Sequence, residues 1–273
     1  MQTKYLYKSV LIFVIIMTIT LITNFKGMAS NIKEEMITYK AGDVTLAGFV
    51  AYDESIKGKR PVVLVVHEWW GLNDYTKMRA RKLAALGYLA MAVDMFGNGK
   101  NAANPEEARE LTTPLYKDPQ LVKSRLDAAI RKIREFSQAD PDNIAAIGYC
   151  FGGGVVLNFA KLGADLKCVV SFHGGLAGVP ADKKLLKAKI LVCHGGSDKF
   201  VSQADVDAFK HQLDSIGANY IFKVYPNATH AFTNPDATRI GKQFNMPIEY
   251  NVQADNDSWN DMKAFLATAL GNK

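Results

Sequence analysis

Gly148-Tyr149-Cys150-Phe151-Gly152-Gly153-Gly154 decides the fold. The segment follows an apolar run, Asn143 to Tyr149, that reads as a strand, and it opens a helix-patterned stretch, Gly153 to Leu162. A cysteine between glycines at a strand-to-helix turn matches the G-x-S-x-G nucleophile elbow, with sulfur in place of oxygen. Such a turn is sharp, and glycines on either side make room for it. The apical side chain then projects above the sheet at a helix N-terminus. The dipole and free N–H groups there favour a thiolate and a developing oxyanion. The same residues exclude phosphate loops. Cys150 stands where G-x-G-x-x-G needs its second glycine, and G-x-x-x-x-G-K-[ST] lacks its lysine.

Outward from this point, apolar strands alternate with helical segments. Pro61 to Val66 (PVVLVV) and Tyr88 to Val93 are continuous apolar runs, the mark of strands buried on both faces. Lys167 to Phe172, Lys189 to His194 and Tyr220 to Tyr225 continue the series. Ile37-Thr38-Tyr39 and Val44 to Ala51 read as a leading antiparallel pair around Ala41-Gly42-Asp43. Helical periodicity marks Lys77 to Leu86, Pro119 to Phe136, Gln203 to Ile216 and Trp259 to Leu270. This alternation predicts one α/β domain over residues 30–273, with a mainly parallel sheet of about eight strands.

In such sheets the chemistry sits at the carboxyl ends of strands. Those ends here are His67-Glu68-Trp69-Trp70-Gly71, Asp94, the elbow, His173-Gly174-Gly175, His194-Gly195-Gly196-Ser197-Asp198 and Asn227-Ala228-Thr229-His230. Asp198 and His230 follow Cys150 in the order nucleophile, acid, histidine, the chain order of α/β-hydrolases. His230 would accept the Cys150 proton or stabilise its thiolate, and Asp198 would set the imidazole tautomer. His67, His173 and His194 lie at strand ends without metal-ligand spacing, so no metal is expected. No cofactor is expected either. Cys168 and Cys193 fall inside strands and read as core thiols. Three cysteines are too few, and odd in number, for a disulfide scaffold.

These motifs, with Gly87-Tyr88, Val93-Asp94 and Thr229-His230-Ala231-Phe232, resemble the dienelactone hydrolase family over nearly the whole chain from Ile37. The resemblance implies an α/β-hydrolase fold, a three-layer sandwich. It implies a carboxylic ester hydrolase that acts on small esters or lactones through a Cys150–His230–Asp198 triad and a thioester. The alternatives are a carboxylesterase or acyl-transfer enzyme on larger substrates, and a binding protein on the same fold. The family further implies that Glu68 contacts the resting thiol and gates it. It gives backbone N–H groups of Trp69 and Phe151 as the oxyanion hole. Trp70 and Arg109 become substrate-binding candidates. The family prototype holds a substrate carboxylate with two arginines. One should follow the triad histidine, where this chain has Thr233-Asn234.

The formal charge is +6, but the first 29 residues carry Lys4, Lys8 and Lys26 and no acid. What remains is close to neutral and carries no nucleic-acid footprint. Ser9 to Thr23 is apolar apart from Ser9 and three threonines, follows two lysines and precedes Gly27-Met28-Ala29. That order is a secretory signal peptide, cleaved after Ala29, with an uncleaved anchor as the alternative. The globular part is therefore expected outside the cytoplasm, as a monomer or weak dimer whose partner is its small-molecule substrate.

Overall fold

A computed structural model describes residues 31–271. The expected export segment lies outside the described residues. Eight strands form one sheet in the order β1-β2-β4-β3-β5-β6-β7-β8. They are β1 (Ile32–Ala41), β2 (Val44–Asp53), β3 (Arg60–Val66), β4 (Leu89–Val93), β5 (Ala139–Tyr149), β6 (Cys168–Phe172), β7 (Lys189–Gly195) and β8 (Tyr220–Tyr225). The β1–β2 and β2–β4 pairs are antiparallel, and every later pair is parallel.

The apolar runs fill this sheet because helices cover both of its faces. Alternate residues of β3 show the division. Val62, Leu64 and Val66 pack into one core cluster with Leu126, Val155, Phe159 and Phe209. Val63 and Val65 pack into another with Leu83, Trp259, Met262 and Leu266. The first layer is built from α3 (Pro119–Ile133), α4 (Phe151–Lys161) and α5 (Gln203–Ser215). The second is α1 (Asp74–Ala84) and α7 (Val252–Leu270). Burial of side chains on both faces is what selects unbroken Val/Ile/Leu runs over alternating ones.

Two helices were not expected, α2 (Pro105–Lys117) and α6 (Ala237–Phe244). The helix α2 begins with a signal that sequence does carry. Asn104 caps it, Pro105 stands at its first position and Glu106 and Glu107 follow. Pro114 inside it interrupts the pattern. The helix α7 starts seven residues before the predicted Trp259, at the Asn251 cap. The helix α2 supplies a wall of the site through Arg109, Thr112 and Tyr116, and α6 packs Phe244 against Trp70. No helix among the described residues is long and apolar enough to cross a membrane.

Cys168 and Cys193 are both free and buried. In the β6–β7 register Cys168 faces Lys189 while Cys193 faces Phe172. Four residues of strand separate them, roughly 13 Å, too far for a bridge. Burial pushes both thiols up to about 12.

Candidate active site

The elbow forms where it was expected, and its glycines are required by contact distances. A Cβ on Gly148 would lie 2.0 Å from the Gly152 carbonyl oxygen. One on Gly152 would lie 2.4 Å from the Val66 carbonyl oxygen. Both obstacles are backbone and cannot move aside. This close approach lifts Cys150 into a strained conformation, φ 53° and ψ −116°. Its N–H is shared between the Phe172 carbonyl, 3.0 Å, and His173 Nδ1, 3.1 Å. Side chains cap α1, α2, α3, α5 and α7, whereas the N-terminus of α4 has no side-chain cap. Gly152 N–H donates to the His67 carbonyl at 3.1 Å and Gly153 N–H to the Cys150 carbonyl at 2.9 Å, so among these first amides the Phe151 N–H is the one left to meet a ligand.

Asp198 and His230 converge on this cysteine from the loops after β7 and β8. His230 Nδ1 lies 2.8 Å from Asp198 Oδ2, and His230 Nε2 lies 3.0 Å from Cys150 Sγ. The Asp198 carboxylate also accepts the Phe200 N–H at 2.8 Å. Burial opposes ionisation of Asp198, yet His230 and the Phe200 amide hold its carboxyl below the usual range. Burial likewise opposes a charge on His230. Its interactions with Cys150 and with the Asp198 carboxylate outweigh it and raise the imidazole to about 10. The geometry thus favours a charged imidazolium held against the Asp198 carboxylate.

Glu68 lies in the same pocket, fully buried. The contact expected between its carboxylate and the thiol is not the one formed. Glu68 Oε2 accepts from Asn234 Nδ2 at 2.6 Å, while the sulfur faces His230. Burial raises the Glu68 carboxyl to about 7, against the Asn234 hydrogen bond and the His230 charge. Trp69 is partly exposed beside it, and Trp70 is buried, stacked on Phe244 of α6 at 5.9 Å. Arg109 is exposed on α2 at the pocket wall. The pocket holds about 330 Å³ and joins these residues to Tyr116, Phe200 and Met246. That is the size range of small-molecule sites.

Thr233 and Asn234 stand in place of the absent arginine, and both are committed elsewhere. Thr233 Oγ1 lies 2.7 Å from His173 Nε2 and 2.6 Å from the Tyr75 hydroxyl. Because His173 Nδ1 accepts from Cys150, its Nε2 carries the proton and donates to Thr233. The Thr233 carbonyl accepts from Arg79, which also pairs with Asp255 at 2.6 Å. Arg79 lies buried between Tyr75, Tyr149 and Trp259. A polar chain therefore runs from α7 to the amide of the candidate nucleophile. Sequence reasoning gave His173 only the role of a strand-end histidine and found no role for Arg79. His67 also has a structural task, accepting the Met95 N–H at Nε2. Among the described residues no cluster suited to a metal ion occurs.

The sheet order and the strand–elbow–helix at Cys150 define an α/β-hydrolase fold. The dienelactone hydrolase family profile matches residues 46–270, and the chain belongs to that family. Among solved structures, m3DLH is similar with 34% identity and a TM-score of 0.83, over 88% of this chain and 99% of that one. A dienelactone hydrolase-like promiscuous phosphotriesterase from metagenomic libraries gives 30% identity and a TM-score of 0.82, at the same coverage. A Methylorubrum extorquens protein provisionally named a carboxymethylenebutenolidase is 30% identical over 64% of this chain and 64% of its own length. The chain thus spans just under two thirds of that relative.

Proposed function

We propose that the chain is a carboxylic ester hydrolase that cleaves small esters or lactones through Cys150, His230 and Asp198. The observation that carries this reading is the unbroken run from Asp198 Oδ2 through His230 to Cys150 Sγ, with spacings of 2.8 and 3.0 Å. The Cys150 thiolate attacks the carbonyl carbon, and the carbonyl π pair moves to oxygen. Backbone N–H groups of Trp69 and Phe151 receive that oxyanion. Collapse breaks the bond to the alcohol oxygen, which leaves with the proton of His230 Nε2. Water then gives a proton to His230 while its oxygen attacks the thioester, and the thiolate departs. Asp198 holds the imidazole in place for both transfers.

The substrate reading favours neutral esters. Apart from the triad imidazolium of His230, Arg109 is the one cation among the described residues that line the pocket, and Thr233 and Asn234 supply none. A carboxylate-bearing lactone would lose one of two anchors here. Glu68 serves as the gate in this reading. With its carboxylate on Asn234 and the thiol turned to His230, the gate stands open in this reading. The N-terminal 29 residues serve as an export signal, so protein recovered from an exporting host should begin near Ser30 by mass spectrometry. An intact Met1 in the membrane fraction would favour the anchor.

The central test is p-nitrophenyl acetate hydrolysis with mass spectrometry of quenched enzyme. The wild type should turn over and carry an acyl adduct on Cys150. Cys150→Ala should lose at least about a thousandfold in kcat. Retained turnover in that variant would remove Cys150 from the mechanism.

A further inference from the structure

A second cavity, about 520 Å³, runs along α4 beside the candidate site. Tyr116, Phe151 and Gly175 line both cavities, so the two adjoin. Its walls include Leu115, Val122, Val155, Leu162, Val179 and Pro180. Among the described residues no acidic side chain lines it, and Lys117 is its one charged lining residue. The far wall is fastened by Asn158, whose Oδ1 accepts the Val179 N–H at 2.8 Å. From Phe151 to Leu162 the groove follows the helix for roughly 16 Å. The ring of Tyr116 stands edge-on to Phe151 at 5.4 Å, at the junction of the two spaces.

The reaction geometry says which part of an ester this groove can take. The leaving alcohol must receive the proton of His230 Nε2, so it lies on the His230 side of the carbonyl. That side of the pocket is walled by Phe200, Val201 and Ala231, none of which lines the groove. The remaining substituent, the acyl chain, points past Phe151 and Tyr116. We propose that this groove is an acyl-chain site, and that the preferred substrates are esters of medium-chain, unbranched, uncharged carboxylic acids with small alcohols. The proposal rests on the hydrolase reading above and adds its substrate class.

A half-open apolar groove gains less per methylene than full burial. We expect about twofold in kcat/KM per methylene, roughly 60-fold over the six methylenes from p-nitrophenyl acetate to octanoate. Acetate esters of butanol, hexanol and octanol should show no comparable rise. Ala177→Trp and Gln120→Trp place bulk in the groove from exposed positions that do not line the pocket around Cys150. Each should lower the octanoate-to-acetate ratio at least tenfold. The ratio is internal to each variant, so a general loss of folding or activity does not move it. A flat acyl series, a rise in the alcohol series instead, or an unmoved ratio in both variants would overturn the groove while leaving the hydrolase reading intact. If no ester is cleaved, the hydrolase reading fails and calorimetric titration of octanamide still tests the groove. Saturable binding that Ala177→Trp weakens tenfold supports it, and absent binding rejects it.

Discussion

At Cys150 the backbone is held where an L-residue is disfavoured, at a cost of about 1–3 kcal/mol. The shared N–H bond to Phe172 and His173 and the close glycines keep it there. Removing the side chain should therefore relax the protein. Cys150→Gly should raise unfolding free energy in urea by about 1 kcal/mol relative to Cys150→Ala, while both lose turnover. Equal stabilities would show that the elbow is unstrained. Glu68 makes a second trade between stability and function. Its carboxyl titrates near 7 in the folded chain, above its unfolded value. The folded state therefore binds the proton more tightly, and stability falls as pH rises between roughly 4.5 and 7. Glu68→Gln keeps an acceptor for Asn234 and removes this penalty. It should add about 2–3 kcal/mol at pH 8 and almost nothing at pH 4.5, by thermal denaturation. If Glu68 is also the gate, the same variant should be alkylated faster by iodoacetamide yet turn over more slowly. Alkylation and turnover falling together would reject the gate.

The elements around the elbow tolerate little change because backbone meets backbone there. Gly152→Ala drives a methyl toward the carbonyls of Val66 and His67, which belong to β3 and its end. Loss of about 3 kcal/mol or more is expected, seen as a lower urea midpoint or as insoluble protein. A near-native midpoint would mean that α4 shifts as a unit. The helices α1 and α7 are latched by Arg79 and Asp255, with side chains 1% and 9% exposed. Asp255→Asn leaves a buried guanidinium without its counter-ion and should cost about 3–5 kcal/mol. Because Arg79 also holds the Thr233 carbonyl, the His173–Thr233 contact should loosen too, lowering kcat more than a surface substitution of equal ΔΔG.

Across the whole molecule, the site's ionisable groups set a skewed pH profile. Asp198 is held below its usual pKa, so its contribution is present above about pH 4 and is lost as the medium turns acid. His230 is raised, so its contribution is full below about pH 6.5 and is lost as pH rises through about 10. Glu68 subtracts from stability between those limits. The melting temperature should therefore peak near about pH 5 rather than at neutrality, and the peak should broaden toward pH 7 in Glu68→Gln. A maximum at pH 8 in the wild type would contradict the burial that raises the Glu68 carboxyl.

Sequence by itself determined the sheet, the elbow and the order of Cys150, Asp198 and His230. These are local signals: unbroken apolar runs demand burial on both faces, and Gly148 and Gly152 mark a turn too tight for a side chain. Less distinct local signals were passed over, as at Asn104-Pro105 ahead of α2, where Pro114 obscures the helix. Tertiary structure alone decided the partner of Glu68. Asn234 is 166 positions away and nothing in its neighbourhood marks it as a donor to a buried carboxylate. The same holds for His173, Thr233 and Tyr75, which meet only because three separate strand and helix ends converge above the sheet. Side-chain pairing at such a distance in the chain has no periodicity to read. It is fixed by which rotamers fit once the elements have packed.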